Sequence, residues 1–283
     1  MRSYMSNNIK ILVAAHKADS AIRQDDIYTP IHVGKALHID VDLGFQGDNT
    51  GDNISEKNVS YCELTAIYWA WKNLKDIDIL GLAHYRRYLK FNIEKNKEFL
   101  KKGGIILPRP FHCRYDNYTN LALLLNQESA ILTINALLNR LPDSSKAVRE
   151  YFWRSNKYSV FNMFVMRWKE FDEYCSFLFP LLSHLEHTLK HEEYNRLKRN
   201  IGYIAEALLG FWIRYKKLKV KYVPVEDLST SIHADTLKTK LREFQRDFGF
   251  NITYLPWKQN ITYYPAALGA LKSQGYDINE KQS

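Results

Sequence analysis

The sequence predicts an α/β protein with a mostly parallel sheet flanked by helices. Short apolar runs alternate along the chain with longer segments whose apolar residues recur every three to four positions, the order of strands and helices in such folds. Hydrophobic residues make up 46% of the 283 residues and charged residues 25%, so the chain can bury a large core and wholesale disorder is excluded.

Apolar runs mark the predicted strands. The first, residues 9–16, is almost continuously apolar and suits a strand that is buried on both faces. The run over residues 158–166 is rich in aromatic residues and valine, which favour strands. The remaining strand candidates cover residues 79–89, 103–110 and 219–225.

The clearest predicted helix begins near Ser60. Ser60 and Glu63 have the S-x-x-E spacing of a capping box, and apolar residues follow at positions 64, 67, 68 and 71. Pro180 is expected to kink or break a helix over residues 167–190. Further helices are predicted over residues 117–141, 201–212 and 235–250, and a long loop over residues 40–53.

We expect one α/β domain over residues 1–228, with a C-terminal extension, residues 229–283, packed on it. The amino-terminal segment is too polar for a signal peptide, and no apolar run is long enough to cross a bilayer. The three cysteines, Cys62, Cys113 and Cys175, lack the spacing of a disulfide framework or a zinc site. These features predict a cytoplasmic protein and leave a contact with a membrane surface open.

The charge balance favours an anionic partner. The 40 Lys and Arg residues exceed the 31 Asp and Glu residues and give a net charge of +9. This excess suits a phosphorylated substrate, a nucleic acid or an acidic membrane face. The cations are spread along the chain and are not gathered with aromatic residues in a nucleic-acid-binding motif, which disfavours that class. A sugar-binding module without catalysis is a second alternative to an enzyme.

Residues 81–88 carry the most unusual cluster, because a hydrophobic strand leads directly into His84, Arg86 and Arg87. Ligands of parallel α/β sheets bind at the carboxyl ends of strands, where arginine forks can bind a diphosphate and histidine can move a proton. The alternative is an exposed strand end that only carries charge. If the strand continues, the two arginines face opposite sides and only one reaches a ligand.

Other candidates are open to two interpretations. The Asp-x-Asp triplets at residues 40–42 and 76–78 suit Mg²⁺ or Mn²⁺, but this spacing is common by chance and the second triplet precedes its strand. Residues 51–55 and Asn58 form either a loop that presents amides to a ligand or an ordinary Asx-turn. Glu206 shares a helix face with Arg199 and is either a general base or a salt-bridge partner of that arginine.

These segments together resemble a known family. The matching strings are GDNIS at 51–55, Asn58, YCELT at 61–65, YW at 68–69, WKN at 71–73, HYRRY at 84–88, FNMF at 161–164 and GYIAE at 202–206. The set resembles the bacterial capsular and exopolysaccharide glycosyltransferases long catalogued as a domain of unknown function. The resemblance covers residues 9–225.

The resemblance implies a GT-A-like (Rossmann-like) fold. It also implies transfer of a hexose, galactofuranose in some relatives, from a UDP-sugar to a capsular, exopolysaccharide or lipopolysaccharide glycan, with inversion by direct displacement. The implied acceptor is lipid-linked and lies at the inner membrane face. His84, Tyr85 and Arg86 stand where many such enzymes have a metal-binding Asp-x-Asp, so fixed cations are expected to replace the metal, with Mn²⁺ or Mg²⁺ as the alternative.

The resemblance also implies roles for individual residues. Glu206 is the expected general base. Arg86 and Arg87 are expected to bind the diphosphate, with His84 beside them as a second catalytic residue. The nucleotide is expected to contact His16, Lys17 and the turn at residues 30–34, which includes Gly34. Sugar hydroxyls are expected to contact Asp52, Asn53, Asn58 and Asn162.

Overall fold

The computed structural model describes residues 8–189 and 197–230 continuously, and then residues 241, 244–245, 248–250, 252, 254 and 263–276. The chain forms two compact units. The first comprises Met1–Arg109, Phe161–Phe177 and Leu218–Ile232, and the second comprises Pro110–Val160, Leu178–Lys217 and His233–Ser283. The predicted division into a domain over residues 1–228 and an extension over residues 229–283 packed on it stays a prediction.

Eleven strands occur in the described part of the chain. They are β1 (Ile9–Ala15), β2 (Tyr28–His32), β3 (Gln46–Gly47), β4 (Ile79–His84), β5 (Arg87–Leu89), β6 (Ile105–Pro108), β7 (Phe111–His112), β8 (Lys157–Tyr158), β9 (Phe164–Arg167), β10 (Val220–Val223) and β11 (Val225–Asp227). β7 and β8 pair with each other in the second unit, and the other nine form one sheet in the first. The main path of that sheet runs in the order β10-β6-β9-β4-β1-β2-β3.

The sheet is mostly parallel, as predicted. The central strand β1 pairs in parallel with β2 on one side and with β4 on the other. Ala15 lies opposite His32 and Ala14 lies opposite His84, so the three strands end at the same edge. β2 and β3 are also parallel, as are β6 and β10, whereas β9 runs antiparallel to β4 and β6.

Nine α-helices have both of their bounds in the described residues. They are α1 (Asn58–Tyr61), α2 (Leu64–Asn73), α3 (Ile93–Lys101), α4 (Asn117–Leu124), α5 (Gln127–Arg140), α6 (Ser145–Val148), α7 (Trp168–Thr188), α8 (Asn200–Tyr215) and α9 (Tyr263–Ser273). A π-helical turn, Arg149–Trp153, follows α6. No helix of the described residues combines the length and the apolar character needed to cross a membrane.

Helices of the first unit cover both faces of its sheet. Val165 of β9 packs in a buried cluster with Val13 of β1 and Leu100 of α3. Phe164 points to the opposite face because side chains alternate along a strand. Its ring lies 5.9 Å from the ring of Phe171 on α7, between centroids. Burying each of these side chains stabilises the fold by about 1.5–3 kcal/mol.

Some local predictions are wrong for identifiable reasons. The capping box at Ser60 does not form, because α1 ends at Tyr61, Cys62 has a φ of 53°, and α2 begins only at Leu64. The 158–166 run is two strands and not one, because two residues with positive φ, at 161 and 162, interrupt it.

The helix that contains Pro180 is continuous, so the predicted break does not occur. Pro180 lies on the exposed side of α7, and Leu178, Phe179, Leu181 and Leu182 around it are buried. Burial of these neighbours on a packed face offsets the backbone hydrogen bond that proline removes. Most of the predicted 235–250 helix lies outside the described residues, and those described within it, 241, 244–245 and 248–250, are helical.

Candidate functional site

The carboxyl ends of β1, β2 and β4 bring several predicted site residues to one edge of the sheet. His16 and Lys17 follow β1, Gly34 lies just beyond β2, and His84 ends β4. The chain leaves β1 toward β2 and later returns to β4 on the other side of β1. This edge therefore contains the point where the strand order reverses, which is where open α/β sheets form ligand-binding crevices.

Tyr85 is the centre of a cluster of basic side chains at this edge. The ring of His16 meets the ring of Tyr85 edge-on, with 5.1 Å between centroids. Lys17 Nζ lies 5.9 Å and the guanidinium carbon of Arg86 lies 5.2 Å from the Tyr85 centroid. Because an aromatic face attracts cations, Tyr85 allows these groups to gather at one point. The resulting concentration of basic groups suits an anionic ligand.

Tyr85 and Arg86 form a tight turn between β4, which ends at His84, and β5, which begins antiparallel to it at Arg87. The condition for alternation of the two arginines, a strand that continues through them, is therefore not met. Arg86 Nε lies 2.7 Å and Nη2 lies 2.5 Å from Asp19 Oδ2. Arg87 Nε lies 2.8 Å from Asp227 Oδ2. Each arginine thus has a carboxylate that orients it and offsets its charge.

Both carboxylate partners are stabilised in the ionised form. The backbone N–H of Ala21 and the side chain of Arg86 lower the pKa of Asp19 below its ordinary value. Burial opposes ionisation of Asp227, but hydrogen bonds from Ser229 and Arg87 outweigh it and lower the pKa of Asp227. Both ion pairs therefore persist at neutral pH, and a diphosphate bound to these arginines competes with the two carboxylates.

His84 is oriented by the backbone carbonyl of Phe161. Its Nε2 lies 2.7 Å from Phe161 O. Since a carbonyl oxygen only accepts hydrogen bonds, Nε2 carries the proton, and in the neutral ring Nδ1 is an acceptor. Within the described part of the chain no group donates to Nδ1. His84 therefore offers one nitrogen that can accept a proton or a hydrogen bond from a substrate.

The turn that follows β2 is held by Asp48, a fully buried carboxylate that the sequence analysis did not single out. Asp48 accepts hydrogen bonds from Gly34 N at 2.9 Å and from Lys35 N at 3.1 Å. The hydroxyl of Ser55 also donates to Asp48. The side chain thereby fixes the backbone of the predicted nucleotide-binding turn to the loop at residues 51–55.

Gly34 and Asn58, two predicted site residues, lie against each other. Gly34 has a φ of 67°, and a Cβ at this position would lie 2.8 Å from Cγ of Asn58. Both observations require glycine here, because L side chains disfavour this backbone region and the space is already filled.

Replacing Asp48 by alanine is expected to destabilise the protein by about 3 kcal/mol or more. The change leaves two buried donors and one partly buried donor without an acceptor, and each such loss costs about 1–3 kcal/mol. The melting temperature should fall by roughly 6 °C or more in a thermal denaturation experiment. Asp25→Ala is the matched control, because Asp25 accepts two backbone N–H groups in an exposed turn where water replaces it. An Asp48→Ala effect no larger than that of Asp25→Ala contradicts this role.

Asn58 and Asp52 lie toward opposite ends of α2. Asn58 Nδ2 donates to Cys62 O at 2.7 Å and to Thr65 Oγ1 at 3.0 Å, near the first residues of the helix. The carbonyl of Asp52 accepts a hydrogen bond from Asn73 Nδ2 at 2.8 Å, at the last residue of the helix. The Asp52 carboxylate itself accepts from the Tyr68 hydroxyl at 3.1 Å, in the middle of the helix, so the two predicted sugar contacts bond to different residues of α2.

Asn53 and Asn162 make different kinds of contact. Asn53 Nδ2 donates to Gly51 O at 2.9 Å and its Oδ1 accepts from Ser55 N at 3.1 Å, the pattern of the Asx-turn alternative. Asn162 is 1% exposed, and its Nδ2 donates to Glu63 Oε1 at 2.7 Å. Asn162 therefore links the turn before β9 to the residue that precedes α2.

Glu206 lies on α8 in the second unit, whereas the other ten predicted site residues lie in the first. Glu206 acts electrostatically on Tyr158: burial and then the charge of Glu206 raise the pKa of this tyrosine well above its ordinary value. The Tyr158 hydroxyl lies 3.5 Å from Tyr203 O, one turn before Glu206 on the same helix. The role of Glu206 as a base stays a prediction.

The Asp-x-Asp triplets are part of loop structure. Asp42 Oδ1 accepts from Gly44 N at 2.8 Å, and Asp78 Oδ2 accepts from Asn8 N at 3.1 Å. Across the residues that the structure describes, no three His, Cys, Asp or Glu side chains are grouped so that they could hold a metal ion. The metal requirement stays open.

Sequence reasoning missed three carboxylates of the first unit, namely Asp19, Asp48 and Asp227, and assigned Glu63 to a capping box. Asp19 had a usable signal, since it follows Lys17 by two residues just past a predicted strand. Asp227 had none, because it is 140 residues away from Arg87 in sequence.

The mixed α/β fold is shared with a glycosyltransferase of known structure. The apo structure of the bifunctional glycosyltransferase WbbM matches this chain with a TM-score of 0.71 and 32% sequence identity. The match covers 79% of this chain and 46% of that one, so the chain spans about half the length of the WbbM structure. A comparison with curated proteins finds no match. Residues 10–217 match the family model described as a domain of unknown function, DUF4422, and the chain belongs to this family.

Proposed function

We propose that this protein is a glycosyltransferase that transfers a hexose from a UDP-sugar to a growing surface polysaccharide. The observation that carries the proposal is the group of basic side chains around Tyr85, placed where the strand order of the sheet reverses. The similarity to WbbM, itself described as a glycosyltransferase, supports the same activity. Galactofuranose is the hexose that the family resemblance suggests.

In the proposed reaction the nucleotide binds at the carboxyl ends of β1 and β2. His16, Lys17 and the turn at Gly34 contact the nucleoside, and Arg86 and Arg87 bind the diphosphate. The acceptor hydroxyl attacks the anomeric carbon, the bond from that carbon to the phosphate oxygen breaks, and UDP leaves with the electron pair. The positive charges stabilise the developing negative charge on UDP. Direct displacement inverts the configuration at the anomeric carbon.

Glu206 is the proposed acceptor of the proton that the attacking hydroxyl loses, and His84 Nδ1 is proposed to accept a hydrogen bond from the substrate. We assign sugar contacts to Asn162 and Asn58, whose side chains lie beside the residues that begin α2. The sugar contacts proposed for Asp52 and Asn53 rest on the family resemblance alone. The charge of Arg86 and Arg87 is proposed to replace a metal ion.

The proposed acceptor is lipid-linked and lies at an anionic membrane face on the cytoplasmic side. Lys216, Lys217, Lys219 and Lys221 are exposed and supply the positive charge that such a surface attracts. Exposed apolar side chains at 241, 244, 248 and 252 add apolar surface. Co-sedimentation with vesicles that contain phosphatidylglycerol, and not with neutral vesicles, is the expected result.

A thermal-shift screen of nucleotide sugars tests the donor class. A ligand at 100 times its dissociation constant stabilises the native state by about 2.7 kcal/mol, which corresponds to a rise of roughly 5–10 °C in melting temperature. We expect this shift with UDP-sugars, unchanged by EDTA or Mn²⁺. Absence of a shift with every UDP-sugar contradicts the donor assignment, and a shift that requires Mn²⁺ contradicts only the metal-independent part.

Two rival classes are separated by simple assays. A sugar-binding module binds the donor but neither hydrolyses nor transfers it, so release of UDP over time favours the enzyme. A nucleic-acid-binding protein binds oligonucleotides with an affinity that falls steeply with salt concentration. Such binding, without any response to UDP-sugars, favours that class.

A further inference from the structure

Phe161 and Asn162 form a strained turn between β8 and β9. Their φ angles are 70° and 49°, so two successive residues other than glycine adopt the left-handed region. Each such residue costs about 1–2 kcal/mol, although asparagine tolerates the region better than phenylalanine does. Strain of this kind persists where surrounding contacts impose it, and it concentrates at functional sites.

Contacts within the first unit impose this conformation. The Phe161 carbonyl accepts the hydrogen bond from His84 Nε2. The guanidinium carbon of Arg87 lies 4.8 Å from the centroid of the Phe161 ring. The buried Asn162 side chain donates to Glu63 at 2.7 Å. The turn thus ties Glu63 to His84 and Arg87, which already belong to the candidate site.

Glu63 does not make the contact that its position predicts. It occupies the N-cap position of α2, yet its side chain caps no backbone N–H of the helix and bonds to Asn162 instead. Glu63 is half-exposed, and in the described part of the chain nothing donates to its second oxygen, Oε2. A carboxylate accepts up to about four hydrogen bonds, so most of the capacity of Glu63 is directed to solvent or a ligand.

We propose that Glu63 is a further substrate-binding residue, whose carboxylate is oriented by Asn162 and accepts hydrogen bonds from hydroxyl groups of the donor sugar. This inference rests on the proposed function. A half-exposed carboxylate suits a sugar because hydroxyls donate strongly to a charged acceptor, and a site built for such donors discriminates between sugars. The contrary interpretation is that Glu63 only holds the strained turn in place.

The Glu63→Gln variant separates these two roles. Glutamine keeps an oxygen that accepts from Asn162, so the turn is retained, but the negative charge is lost. We expect UDP-galactose and UDP-galactofuranose to bind about 10- to 100-fold more weakly to Glu63→Gln than to the wild type in calorimetry. UDP, which lacks the sugar, should bind equally well to both. Glu56→Gln, a change at a nearby exposed carboxylate, should alter neither affinity.

Asn162→Gly provides a second variant. Glycine adopts the φ of 49° without strain, so the turn keeps its shape while Glu63 loses its orienting contact. The same selective loss of UDP-sugar affinity, with UDP affinity unchanged, is expected, and the double variant Glu63→Gln/Asn162→Gly should lose no more than Glu63→Gln alone if Asn162 acts through Glu63. Equal loss for UDP and for both UDP-sugars, or no loss in Glu63→Gln, overturns the proposal. If the wild type binds UDP-sugars and the variants bind them equally well, this inference alone is overturned. If the wild type binds no nucleotide, the proposed function is overturned too.

Discussion

Replacing Glu206 by glutamine is expected to reduce turnover by about 10²- to 10⁴-fold, because a general base contributes that much to the rate of proton transfer. Glutamine has nearly the same shape but does not accept the proton that the attacking hydroxyl releases. Glu206 is half-exposed on α8, between the buried Ala205 and Ala207, so the helix should pack unchanged. Donor affinity should also stay unchanged. The measurement is UDP release with saturating donor and acceptor.

Glu150→Gln is the matched control for this change. Glu150 belongs to the same unit and forms surface ion pairs with Arg154 and Arg214. Exposed pairs of this kind contribute about 0–1 kcal/mol, so turnover and melting temperature should both stay near the wild-type values. Near-normal turnover of Glu206→Gln, with folding confirmed by its melting temperature, removes Glu206 from the role of the base.

The parts of the fold that the sequence predicted are those with strong local signals. Ile9–Ala15 is recognisable because an almost unbroken apolar run needs burial on both faces. The two left-handed residues before β9 have no such signal, because Phe161 and Asn162 adopt this conformation through contacts with distant side chains. Pro180 does not break its helix for a related reason, because packing of the helix outweighs the propensity of a single residue.

The same distinction, between local sequence signals and contacts among distant residues, applies to the candidate site. The cluster at residues 84–87 was recognisable because its members are adjacent in sequence and follow a predicted strand. The carboxylates that orient its arginines were not, because one of them, Asp227, comes from a strand at the other end of the chain. Pairing between Arg86 and Asp19 joins two loops at a sheet edge, and only the order of strands brings those loops together.

Replacing Arg86 by alanine is expected to weaken UDP binding by about 10- to 100-fold, since a hydrogen bond to a charged group contributes about 1.5–3 kcal/mol. The ion pair with Asp19 makes a further result expected. Asp19→Asn removes the negative charge that competes with the diphosphate for Arg86, so UDP should bind several-fold more tightly. Calorimetry at constant ionic strength measures both changes. Arg154→Ala, at a surface ion pair of the second unit, is the control and should leave UDP affinity unchanged.

The double variant decides whether the two effects share one cause. If Asp19 acts only by competing for Arg86, then Asp19→Asn should have no effect on UDP affinity once Arg86 is alanine. If Asp19→Asn raises UDP affinity equally in the wild type and in Arg86→Ala, then Asp19 repels the nucleotide directly. Its effect does not then come from neutralising Arg86. If Arg86→Ala binds UDP as tightly as the wild type does, Arg86 does not bind the diphosphate. A bound metal ion stabilises the charge of the phosphates in other phosphate-binding sites. The double-mutant cycle therefore tests whether Arg86, oriented by its ion pair with Asp19, has that role here.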